Sequence, residues 1–163
     1  METTFSIEPR LPGQILPGSQ TNQFVVFHLD ERQFGLKLSV VQRVIRAVEV
    51  THVPNTLELI LGLINMQGQL IYVVDTRKLL DLPEREIDLT DQFIILNSSG
   101  LTVALVVDRV AGVRVLNDYH INGTEELSHT FGNIYAVAKI DGEVVLILDV
   151  NHLFPPAQIR VLD

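Results

Sequence analysis

"GQLIYVVDTRKLL", Gly68–Leu80, has a twin in "GEVVLILDVNHLF", Gly142–Phe154. Aligned without a gap, each runs Gly, one polar residue, five apolar residues, Asp, three variable residues, Leu and a large apolar residue. Short apolar runs rich in Val, Ile and Leu, each opened by a Gly, read as strands entered through a turn. The Asp that closes each run is placed to cap a short helix. Its carboxylate accepts from free backbone N–H groups and suits the positive end of the helix dipole. A catalytic Asp would need a His, a second carboxylate or a metal ligand close by, and neither copy supplies one locally. Asp75 and Asp149 are therefore expected to be caps, and Asp108 likewise.

Working outward, the segment from Phe24 overlays that from Phe93 at a shift of 69 residues. Phe24 matches Phe93, Leu36 matches Leu105, Val41 matches Val110 and Ser39 matches Asp108. The opening pair repeats at a shift of 74. The chain thus reads as two copies of one unit: hairpin, capped turn, long connection, apolar strand ending in Asp, short helix. "FVVFHLD" and "QFGLKL" form the first hairpin, and Ser39 is expected to cap a helical turn ahead of "VVQRVI". The connection "EVTHVPNTLELILGLINMQG" is expected to hold a short helix bearing Leu57, Ile60 and Leu61, ended by Gly62. Its counterpart "LNDYHINGTEELSHTFGN" is more polar and reads as a surface loop. Residues 1–22 lack periodicity and read as a flexible tail. A receiver-like parallel fold is disfavoured, because Phe24–Leu38 is a hairpin.

Composition narrows the function. The 163 residues form one ordinary domain or two small fused ones, and 47% are hydrophobic. The net charge of −8 opposes non-specific nucleic-acid binding and adsorption to anionic lipid. With no cysteine, thiolate chemistry and disulfides are excluded. Apolar runs stay far below the roughly 20 residues that span a bilayer, and the N-terminus lacks signal-peptide character. A soluble, cytoplasmic protein is expected. His28, His52, His120, His129 and His152 show no metal spacing. There is no phosphate loop, and "NSSG" sits in a hairpin turn rather than a nucleophile elbow. Tyr72 and Tyr135 read as strand residues with the hydroxyl at a rim. The expectation is a binding protein, with no catalytic residue, metal or cofactor.

At "VPNTLELILGLINMQGQLIYVVDTRKLL" the chain resembles the CheW family of chemotaxis coupling proteins, through Val53, Pro54, Gly62, Asn65, Gly68, Val74, Asp75, Arg77 and Leu80. "VALVVDRVAGV" and "ILDVNHLF" extend the resemblance over about residues 23–154. It implies a mainly β fold of two small five-stranded β-barrels sharing an apolar core, with a few short helices. The implied organisation is a tail at 1–22, a domain at 23–154 with intertwined subdomains at roughly 24–80 and 93–154, and a tail at 155–163. Exchange at the N-terminal strand is left open.

The implied role is a non-enzymatic adaptor. It would join the cytoplasmic tip of a chemoreceptor (a methyl-accepting chemotaxis protein) to the regulatory domain of the histidine kinase CheA. No nucleic acid and no direct membrane insertion are implied. The alternatives are a receptor-binding module acting without a kinase and an unrelated ligand-binding barrel. By resemblance, Val41, Arg43, Val50, Thr51, Gly62, Asn65 and Gln67 lie on or beside the receptor surface. Two residues depart from the family pattern, in which an acidic residue stands at Arg43 and Arg at Gln67. A hydrogen bond between Arg43 and Gln67 is the expected substitute for that ion pair.

Overall fold

The computed structural model describes residues 5–6, 23–98, 100–116, 121–123 and 134–150. Twelve strands and one short helix occur in this part: β1 Phe5–Ser6, β2 Gln23–Leu29, β3 Arg32–Lys37, β4 Val41–Arg46, β5 Ile60–Met66, β6 Gln69–Val74, α1 Thr76–Leu79, β7 Gln92–Ser98, β8 Leu101–Val107, β9 Arg109–Val115, β10 Ile121–Gly123, β11 Ile134–Ile140 and β12 Glu143–Leu148. They form two sheets. Sheet A runs β1-β4-β7-β8-β6-β5, and sheet B runs β10-β11-β12-β3-β2-β9. Each has five long strands plus one short one, β1 or β10.

The hairpins are exchanged between the halves. β2–β3, from the first half, lies in sheet B between β12 and β9. β7–β8, from the second half, lies in sheet A between β4 and β6. The exchange creates one parallel pair per sheet, β6 with β8 and β12 with β3, in an otherwise antiparallel pattern. The registers repeat as well. Val73 faces Ala104 in one pair, and Ile147 faces Gly35 in the other. These are the same positions under the shifts of 74 and 69. The β4–β7 and β9–β2 ladders carry a bulge at equivalent points, before Arg43 and before Gly112. The sheets therefore do not coincide with residues 24–80 and 93–154, since each borrows a hairpin from the other half.

Both faces of these strands are covered, which is why "FVVF" and "FIIL" are unbroken apolar runs rather than alternating ones. In β2, Val25, Phe27 and Leu29 enter a cluster between the sheets, while Phe24 and Val26 enter a cluster enclosed by the curl of sheet B with Val145 and Ile147. Ile64, Ile71, Val73, Phe93 and Ile95 fill the curl of sheet A. Phe27 stacks on Phe34 with ring centroids 5.7 Å apart. The core does not divide by halves of the chain. Phe24 packs with Val145, Val73 packs with Phe93, Leu36 and Leu105 share the central cluster, and Leu70 is 65% exposed.

The sheets curl without closing into barrels. In sheet A the chain leaving β4 reaches the far edge at one point, where Thr51 and Leu63 exchange two N–H···O bonds of 2.8 Å. Other expectations also change. Residues 57–61 do not form a helix: one turn joins Leu57 O to Ile60 N–H, and β5 begins at Ile60. Pairing with β6 prevails over the helix-like spacing of three apolar residues. Ser39 lies inside a 3-10 turn, Leu38–Val40, that has no side-chain cap, and "VQRVIR" is β4. Of the N-terminal segment read as a flexible tail, Phe5–Ser6 pairs with β4. Within the connection read as a surface loop, Ile121–Gly123 pairs with β11. Leu116, the first residue of that connection, is 1% exposed rather than on the surface. The rest of both segments, the C-terminal tail, the helix expected after Asp149 beyond Val150, and His120, His129 and His152 lie outside the described residues.

Two hairpins use one turn. Gln67 and Gly68 have φ of 53° and 87°, and Asp141 and Gly142 have 51° and 82°. Two successive positive φ values give a tight turn whose twist matches the strands it joins. A Gly in the second place removes half the steric cost.

Candidate interaction surface

Of the seven residues implied by the resemblance, the fold brings three into contact. A Cβ on Gly62 would stand 2.2 Å from Thr51 O and 2.7 Å from Val50 Cγ1. Only Gly lets the 50–51 segment lie against β5, and its φ of +156° is one that L residues rarely adopt. Val50 is half-buried over the sheet A cluster, and Thr51 is exposed. Asn65 and Gln67 lie at the end of the same β5–β6 hairpin. Asn65 Oδ1 accepts from Gly68 N–H at 2.9 Å, so its side chain pins the turn. Gln67 is exposed. Asn97 Oδ1 does the same for Gly100 N–H at 3.0 Å, which gives "NMQG" and "NSSG" one mechanical role.

Two of the seven need correction. Val41 is 7% exposed and belongs to the central core, which withdraws it from any surface. Arg43 is half-buried on β4, opposite Ser6 and Ile95, and no hydrogen bond or ion pair joins it to Gln67. β4 and the β5–β6 hairpin occupy different ends of sheet A, so adjacency across the turn does not follow from the fold.

The charged residues converge elsewhere. Arg77, the second residue of α1, has only 7% of its side chain exposed. Its guanidinium donates to both oxygens of Asp30, at 2.9 and 2.9 Å, to both oxygens of Asp108, at 2.9 and 3.0 Å, and to Pro83 O at 3.2 Å. Asp30 sits in the β2–β3 turn of sheet B, and its N–H donates to Asp108 Oδ2 at 2.7 Å. Arg85 bridges Asp91 and Asp108 from the other side, at 2.7 and 2.5 Å. The network fastens the exchanged hairpin to the sheet A half. The Arg77 hydrogen bond holds the Asp30 carboxyl below its ordinary pKa. Burial pushes Asp108 up, but the Asp30 N–H and the guanidiniums of Arg77 and Arg85 outweigh it and the net shift is downward. Arg77 is raised, chiefly by its hydrogen bond to Asp30. Arg85 is raised, chiefly by its hydrogen bond to Asp91.

Asp108 is therefore an ion-pair centre and caps no helix; β9 follows it directly. Asp75 does cap α1, accepting from Lys78 N–H at 3.3 Å. Asp149 stands at the matching place after β12. A sign that could have revealed the network lay in "VDTRK": a basic residue three positions past the end of an apolar strand is placed close to the core and, if buried, requires acidic partners.

Chemically, the network is committed to holding parts together. The carboxylates of Asp30, Asp91 and Asp108 each meet a guanidinium, and none is left as an uncommitted base. Among the described residues no group of three His, Asp or Glu side chains is arranged to hold a metal ion. The class of protein follows: a duplicated two-sheet β module whose free chemistry is its surface. The chain belongs to the CheW-like domain family, whose model matches residues 23–158. It is 26% identical over 135 residues to the chemotaxis protein CheW of Thermotoga maritima, covering 82% of this chain and 88% of that one. It is 27% identical over 131 residues to the CheW of Bacillus subtilis, covering 79% and 84%. Among solved structures it resembles the scaffolding protein TtCheW of Thermoanaerobacter tengcongensis, with a TM-score of 0.76, 29% identity, and 83% and 94% of the two chains covered.

Proposed function

We propose that this chain is a non-catalytic chemosensory adaptor. It binds the cytoplasmic tip of a chemoreceptor through the surface built by Val50, Thr51 and Gly62 and continued along the β5–β6 hairpin by Asn65 and Gln67. A separate face holds the regulatory domain of a CheA-type histidine kinase, and the complex assembles in the cytoplasm at receptor arrays. The observation that carries this reading is the close seating of Val50 and Thr51 on Gly62. It fixes an apolar side chain beside an exposed polar one on a rigid edge, the arrangement that peptide-recognition surfaces use for affinity and register. Family membership and the named CheW relatives support the adaptor role. No helix among the described residues is long and apolar enough to cross a membrane.

The test is binding of the full chain to a receptor-tip fragment and to the kinase from the same cell. Val50→Asp is expected to weaken receptor binding about tenfold or more, since it places a charge in an apolar contact, while kinase binding changes little and the melting temperature falls by only a few degrees, Val50 being half-buried. Equal loss of both, with a larger fall in melting temperature, overturns the assignment.

A further inference from the structure

The two sheets differ at one end. The residue after β9 is Leu116, 1% exposed, which plugs the curl of sheet B beside Phe24 and Val145. Its equivalent 69 positions earlier, at the end of β4, is Ala47. The smaller side chain leaves sheet A with an open groove of about 970 Å³. Val48, Val50, Leu61 and Ile87 form its floor, all packed on the sheet A cluster. Leu89 stands at its margin, 82% exposed. Glu49, Glu84, Glu86 and Asp88 rim it. The one cation in the lining, Arg85, is engaged by Asp91 and Asp108, and Lys78, outside the lining, pairs with Glu84, so Glu49, Glu86 and Asp88 leave the rim net negative. Among the described residues nothing fills the groove.

An apolar floor under an acidic rim selects its occupant by charge complementarity. An acidic or neutral polar segment would desolvate the rim without return. A segment carrying one or two large aliphatic or aromatic anchors between Lys or Arg residues satisfies both layers. We propose that this groove is a second docking site, taking a short basic–apolar peptide segment of a partner protein, whose anchor fills in sheet A the space that Leu116 fills in sheet B. The groove shares Val50 with the receptor surface proposed above, so the test relies on Ala47, Glu49, Glu86 and Leu89, which that surface does not use.

The experiment titrates the full chain with a fluorescein-labelled peptide, Lys-Lys-Leu-Leu-Lys-Ile-Lys, and with the same peptide carrying Glu for every Lys. Binding is read by anisotropy and mapped by amide shifts. The cationic peptide is expected to bind, with shifts at Val48, Val50, Leu61 and Ile87, and the acidic one to fail. Ala47→Leu, which rebuilds the Leu116 plug, is expected to weaken binding about tenfold or more through lost apolar burial while holding or raising the melting temperature. Glu49→Lys with Glu86→Lys is expected to weaken it about tenfold at low salt and less at high salt. Should Ala47→Leu fail to fold, Leu89→Ser at its exposed position carries the same expectation of weaker binding. Absence of binding, equal binding of the acidic peptide, shifts confined to another face, or indifference to these variants overturns the proposal.

Discussion

Sheets A and B share strand order, register and bulges, yet they are held by different physics at corresponding places. The β2–β3 turn is tied to α1 through Asp30, Arg77 and Asp108. The positions equivalent to these three in the repeat are Ser99, Asn151 and Ser39, so charge is replaced by neutral polarity at every member. At that second end a buried hydroxyl supplies a link instead, Ser98 Oγ donating to Val150 O at 3.0 Å. Edge closure differs as well. Sheet A folds over at Thr51 and Leu63 and needs Gly62 to do so, whereas the residue matching Gly62 is Ala136, fully buried in β11. A duplicated frame tolerates such divergence because pairing and burial are already specified by the backbone, and the devices at the ends can be exchanged one at a time.

The largest expected effect breaks the closure of sheet A. Gly62→Ala puts a methyl 2.2 Å from a backbone oxygen, and backbone must move. A loss of about 3 kcal/mol or more is expected, read as a fall in denaturation midpoint with an unchanged slope. The reverse change in sheet B, Ala136→Gly, is expected to cost only about 1 kcal/mol. Equal costs would show that the two closures are alike after all.

The charged end comes next. Arg77→Met leaves Asp30 without a counter-ion and Asp108 with Arg85 alone. A cost of about 2–3 kcal/mol is expected, below the full value for a buried pair because Asp30 is half exposed. pH separates the two ends. Asp30 and Asp108 have folded pKa values below their ordinary ones, so in the unfolded chain they bind protons first. Their contribution is complete above the ordinary carboxylate pKa of about 4 and is lost as pH falls through the lower folded values. Calorimetry between about pH 5 and pH 2 should show the wild type losing more stability than Arg77→Met. Parallel curves would mean that the network adds nothing that titrates.

The smallest effect sharpens the comparison on the candidate surface. A double-mutant cycle on Arg43→Glu and Gln67→Arg is expected to give a coupling energy within about 0.3 kcal/mol of zero, as for residues with no shared partner. A larger coupling would place the two side chains in communication and restore the pairing anticipated from the resemblance.

How much of this was legible follows from what each pattern encodes. The hairpins were, because Gly68 and Gly142 mark turns and the apolar runs mark strands. The duplication was too, since equivalent positions kept their residue types. The exchange of hairpins was not. Strands such as Phe24–Phe27 and Phe93–Leu96 bury both faces, so nothing in their side chains says which sheet they join. Leu57, Ile60 and Leu61 satisfied a helical spacing that a bulged strand satisfies equally. Asp108 misled as a cap because its partners, Arg77 and Arg85, come from a different part of the chain. On the candidate surface the motif led to Gly62, Val50 and Thr51, which do meet. It also led to Val41, whose alternation places it in the core, and to a pairing of Arg43 with Gln67 that the sheet order separates.

The exchanged hairpins carry a consequence for how such a molecule can arise and assemble. Neither half of the chain contains a complete sheet, because β2–β3 serves β9 and β12 while β7–β8 serves β4 and β6. A single unit of the repeat, made alone, would leave its hairpin unhoused and the edges of its own strands bare. Two such units, each lending a hairpin to the other, would complete both sheets with two-fold symmetry. In the present chain the link between β6 and β7 makes the same exchange intramolecular, and so independent of concentration.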